Sequence, residues 1–95
     1  MDYDWDEYNT THLLVKHNVK RSEFEEVMRN NPIFRKEQVD ERSGELRTVE
    51  LGHTNDVRVL TVVWTRRGNL IRPVTAYDPV REIREWYLTQ FYGAE

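Results

Sequence analysis

The groups able to do chemistry in this chain are three histidines, two serines, several arginines set in apolar runs and many carboxylates; there is no cysteine. His12 and His17 are five residues apart. Two ligands share a helical face at three or four. His53 is distant from both, at the end of a strand-like run. Zinc requires three or four converging ligands, so no metal site is expected, and each histidine reads as a surface or capping residue. His17 follows Lys16 at the end of a predicted helix, where a cation is favoured. Ser22 and Ser43 are assigned to a cap and a turn, and there is no Gly-rich phosphate loop and no GxSxG elbow. Glu25-Glu26 and Glu82/Glu85 read as solvated helix faces. That leaves Arg47, Arg58 and Arg72, each in a strand-like run. An arginine there is costly if buried and unpaired. On the exposed face of an antiparallel sheet several could converge into a phosphate-binding surface. The plain alternative is ordinary pairing across strands with Glu50 or Asp56.

Charge distribution bears on this choice. The net charge is −3, but residues 1–56 hold 8 Lys/Arg and 13 Asp/Glu (net −5), whereas residues 57–95 hold 6 Arg and 4 acids (net +2). The second half uses only arginine, which suits bidentate phosphate contacts better than lysine. The balance is not that of a nucleic-acid binder held by charge alone, so any RNA contact must be local. The 95 residues suffice for one domain, expected to span 1–95. Trp5, Trp64 and Trp86 supply much of its modest core. Acidic residues follow Met1 where a secretory signal would be basic and then apolar. No run approaches the roughly 20 apolar residues of a membrane span, so a cytoplasmic location without membrane association is expected.

The elements that must position these side chains follow from caps and periodicity. Tyr3-Asp4-Trp5 reads as a short strand. A first helix is predicted from about Glu7 to Lys16, capped by Asp6 and ended by Asn18. The second is predicted to start at a capping box, Ser22 with Glu25, to bury Phe24, Val27 and Met28, and to end at Asn30-Asn31-Pro32. Four strands follow: Ile33–Val39, Leu46–Gly52, Val57–Thr65 and Leu70–Ala76. They are separated by Asp40–Glu45, Asn55-Asp56 and Arg66–Asn69. The third is β-branched and apolar on both faces, as a central strand would be. Pro73 places an edge or a bulge in the fourth. A last helix is predicted from Asp78 as cap and Pro79 at its first position, burying Val80, Ile83, Trp86 or Tyr87, and Phe91. The fold class is α+β: two N-terminal helices, a four-stranded antiparallel meander and a C-terminal helix.

With these residues in order, the chain resembles the BrnT-like toxins. Trp5-Asp6 opens the likeness, and Asn9, His12 and Lys16-His17-Asn18-Val19 resemble the family's N-x-x-H-x-x-x-x-H-G-V segment. Glu23 to Val27 resembles its acidic second helix. Arg47 stands five before Gly52, Gly52-His53-Thr54 with Arg58 and Leu60 resembles the G-x-T … R-x-L stretch, and Ile71–Ala76 resembles the I-R-x-[IV]-[ST]-A strand. Tyr87 closes the last helix. Tyr77 stands where the family commonly has arginine, and Ile83 where it commonly has glutamate.

The resemblance implies a RelE-like fold and an endoribonuclease toxin of a type II toxin–antitoxin pair, working without metal or other cofactor. A base assists the ribose 2′-hydroxyl while cations stabilise the charged phosphorus intermediate. It implies as partners a cognate antitoxin, typically with a ribbon-helix-helix part, and RNA or ribosome-associated mRNA. The expected catalytic residues are Arg47 and Arg72 on phosphate, with His17 and Tyr77 in acid–base or base-contacting roles. Arg58 and Lys16 are expected to touch RNA. Two other readings stay open on the residues alone: a non-catalytic protein-interaction module on the same fold, and a small metalloenzyme using the three histidines.

Overall fold

The computed structural model describes residues 2–93. The expected unit of residues 1–95 therefore includes Met1, Ala94 and Glu95, which lie outside the described residues. The order is α1 (Glu7–His17), α2 (Arg21–Arg29), β1 (Ile33–Val39), β2 (Leu46–His53), β3 (Val59–Arg67), β4 (Leu70–Tyr77) and α3 (Arg81–Tyr92). The strands form one antiparallel sheet in the order β1-β2-β3-β4. The α+β meander expected from the sequence is thus the architecture observed.

β3 is central, and both of its faces are covered. Leu60, Val62 and Ala76 form one core with Leu13 and Val19 and with Phe24 and Val27 of α2. Leu51 and Val59 form another with Tyr87 of α3, flanked by Ile33, Ile83 and Leu88. Alternation along β3 divides its residues between the two cores. The approach of α2 to the sheet is close at Gly52. A Cβ added there would lie 2.8 Å from Val27 Cγ1 and 3.1 Å from Pro32 Cβ, so only glycine lets the helix seat fully.

β4 is both an edge strand and bulged. Val63 pairs with Thr75 but Trp64 pairs with Pro73, leaving Val74 as the extra residue. The β3–β4 turn is shorter than expected. The strands pair through Arg67 and Leu70, and Gly68 at φ 59° opens the two-residue turn. The N-terminal strand is only one parallel bridge, Tyr3 to Ile71.

Asp6 and Asn18 cap α1 as expected, with Asn18 left-handed. Asn9, 2 % exposed, accepts from the Asp6 amide and donates to the carbonyls of Asp4 and Pro73. One side chain thus ties α1 to β4 and to the N-terminal segment.

Two caps differ from the sequence reading. α2 begins a residue before Ser22: Lys20 is the N-cap and its amide donates to Glu23, not Glu25. Glu25 instead accepts from Trp5 Nε1 at 2.8 Å, an interaction between segments that no local pattern reveals. α3 starts at Arg81 with Val80 as an N-cap that makes no side-chain bond. Pro79 lies outside the helix, and the Asp78 carboxylate is engaged by Arg58 instead. The buried stripe of α3 is also narrower than its periodicity suggests. Tyr87 is buried, while Val80, Trp86 and Phe91 are exposed, because a single sheet face covers only part of the helix.

Candidate RNA-binding and active site

Arg47 and Arg72 are held on the two strands that flank β3. Arg72 pairs directly with Thr65. The Leu46 carbonyl, next to Arg47, accepts from Thr65 Oγ1. The two arginines line one hollow together with Asn9, Arg67, Glu45 and Tyr8. Tyr8, Arg47 and Val74 continue into a second hollow, completed by His12 and Thr75. The bulge at Val74 and the Asn9 anchor of α1 on Pro73 together bring His12 beside Arg47.

None of these arginines is free. Arg72 is mostly buried; it donates to the Asp4 carbonyl and carboxylate and, at 2.9 Å, to Asp6. Arg47 pairs with Glu45 at 3.2 Å and Asp40 at 3.5 Å. Glu45 also holds Arg67 at 3.0 Å. Burial pushes the Glu45 carboxyl up, but the bonds from Arg67 and Arg47 outweigh it and keep it below the ordinary glutamate value. The cross-strand partners Glu50 and Asp56 are therefore not those used: Glu50 accepts from Trp64 Nε1. The hollow is a mixed-charge surface in which carboxylates occupy the guanidinium forks that a phosphate would need.

His12 and His17 are closer than their spacing suggests. Their rings stand 5.4 Å apart, edge to face, at the C-terminal half of α1. His17 lies 5.9 Å from the Tyr77 ring, and His12 Nε2 is 3.2 Å from Thr75 Oγ1. Burial, then the charges of His17 and Lys16, push His12 below its usual value, so the neutral imidazole prevails at neutral pH. Lys16 lines a neighbouring groove with Tyr8, Thr11, His12 and Val15. His53 is elsewhere, bonded to Tyr87 Oη at 2.6 Å beneath Phe91. Among the described residues no three of His, Cys, Asp and Glu converge as a metal would need.

Arg58 is separate from these hollows. It precedes β3 rather than lying in it. Its guanidinium is bidentate to Asp78 at 3.0 and 2.9 Å and reaches Glu23 at 3.1 Å. It also donates to the carbonyls of Asn18 and His17. These bonds place a cation on the C-terminus of α1, where the helix dipole favours it. They engage all three nitrogens of the Arg58 guanidinium.

The structure therefore brings Arg47 and Arg72 together, and separately His17 and Tyr77, with His12 between the two pairs. Tyr8, Asn9, His12, Arg67 and Thr75 enter the site unassigned by the sequence reading. In the sequence His12 stands out as a metal-ligand candidate and as a position of the family motif, without a catalytic role. Among the described residues no helix is long and apolar enough to cross a membrane. A family model, ribonuclease toxin, BrnT, of type II toxin–antitoxin system, matches residues 5–82. No curated protein matches the chain.

Proposed function

The chain belongs to the BrnT family of type II toxin–antitoxin ribonuclease toxins, and from that premise we propose that it is a metal-independent endoribonuclease held in check by a cognate antitoxin. The observation that supports this reading best is the adjoining pair of hollows. They set Arg47 and Arg72 on either side of Thr65, and Arg47, which lines both hollows, shares the second with the neutral imidazole of His12.

In this reading RNA phosphate oxygens take the guanidinium forks now filled by Asp4, Asp6 and Glu45. His12 accepts the 2′-hydroxyl proton, and the 2′-oxygen attacks phosphorus. The P–O5′ bond breaks, leaving a 2′,3′-cyclic phosphate and a 5′-hydroxyl that takes its proton from His17 or Tyr77. Arg47 and Arg72 stabilise the negative charge that develops on phosphorus. Lys16 extends the cationic border, whereas Arg58 has a positioning role. The antitoxin, for which a ribbon-helix-helix protein is the expectation, would act in the cytoplasm by covering this surface.

The test is cleavage of RNA by purified protein in the presence of a chelator, alongside growth after expression without an antitoxin. Arg72→Ala and Arg47→Ala should each lower kcat/KM by about 100-fold or more and restore growth. Wild-type protein that leaves RNA intact and growth unslowed would refute the reading.

A further inference from the structure

Tyr8 carries a feature that the phosphate chemistry does not use. It lies in the first turn of α1 and is 77 % exposed. Exposure alone does not single it out, since Val15 is 74 % and Tyr92 61 % exposed. Its position does. Tyr8 borders the groove that reaches Lys16, the hollow of His12 and Thr75, and the hollow of Arg47 and Arg72. Its ring is nearly parallel to that of His12, at 8° with centroids 6.4 Å apart. Orientation on one side is thus set by a neighbouring ring, while the ring as a whole stays open to solvent.

We propose that Tyr8 is the stacking platform for one unpaired base of a single-stranded RNA whose adjacent phosphate lies on Arg47 and Arg72. The proposal rests on the ribonuclease reading above. A π-face beside a cation-lined groove is how proteins hold unpaired bases, since stacking accepts any base while cations follow the backbone. Duplex RNA keeps its bases stacked on one another and offers none to Tyr8. Of the two macromolecules that could occupy this face, RNA is favoured over an antitoxin segment because the hollow beside the ring is lined by three arginines, Arg47, Arg67 and Arg72, against one carboxylate, Glu45.

The experiment uses the full chain with short single-stranded 2′-O-methyl oligonucleotides. These resist cleavage, carry one central 2-aminopurine and cover all four flanking bases. Wild type should quench the 2-aminopurine on binding. Tyr8→Ala should weaken binding about tenfold, the order expected for one stacked base, and lose the quench, while Tyr8→Phe retains both. With cleavable RNA, Tyr8→Ala should raise KM more than it lowers kcat and flatten the preference for flanking bases. Unchanged binding, quench and preference in Tyr8→Ala would overturn the proposal, which is the outcome expected if an antitoxin segment occupies Tyr8 instead. Quench without any cleavage would refute the ribonuclease reading and leave the stacking site standing. Cleavage unaffected by Tyr8→Ala would do the reverse, and no binding by wild type would overturn both. Because Tyr8 is exposed, none of these variants threatens the fold.

Discussion

Replacing Arg58 by alanine is expected to destabilise the fold rather than impair RNA contact. The guanidinium makes charge-assisted bonds to Asp78 and Glu23 and caps the last carbonyls of α1. An exposed ion pair contributes about 0–1 kcal/mol, whereas breaking a buried one costs about 3–5 kcal/mol. Arg58 and Glu23 are about three-quarters buried but Asp78 is 60 % exposed, so the cost falls between, at about 2–3 kcal/mol. In a domain of this size that lowers Tm by roughly 10–20 °C. Arg58→Lys keeps the charge but loses the fork and should recover less than half. The effect also depends on pH. Arg58 holds the Asp78 carboxyl below its ordinary 3.8. The stabilisation is therefore fully present above that value and is lost as pH falls through the lower, folded-state value. Urea titrations of wild type and variants across acid and neutral pH measure both effects. If Arg58→Ala unfolds within about 0.5 kcal/mol of wild type while RNA cleavage collapses, the positioning argument is wrong and Arg58 is a ligand contact after all.

Two further outcomes follow from the geometry. kcat/KM for RNA should rise with pH through an inflection below 6.5, because His12 must be neutral and its pKa is lowered by burial and then by His17 and Lys16. His17→Gln should move that inflection upward, and a profile flat below 6.5 would remove His12 from the role of base. Gly52→Ala should cost about 1–3 kcal/mol through overpacking against Val27 and Pro32. Adding Val27→Ala should make the pair less than additive, and equilibrium denaturation with a change under about 0.5 kcal/mol would show that α2 shifts freely.

The sequence by itself determined the elements and their order, because caps, turns and apolar periods are local. Asp6 and Asn18 bound α1 through bonds that span a few residues. β3 reads as central because both of its faces must be covered by apolar neighbours. The proline in β4 announced a disturbance that the fold realises as a bulge on an edge strand. Arg47 and Arg72 were legible as site candidates because a charged residue in an apolar strand run requires a partner. Which partners they take was not legible. Asp4, Asp6 and Asp40 reach them across turns and chain segments, and only packing decides which carboxylate arrives. For the same reason Asp78 and Glu25 left the caps assigned to them: Arg58 and Trp5 Nε1, distant in sequence, compete successfully with the local amides. His12 joined the site because Asn9 fastens α1 to Pro73, a contact across 64 positions. Tertiary structure thus decided the chemistry of the surface, since proton transfer and phosphate binding depend on distances between side chains that the chain brings together only when folded.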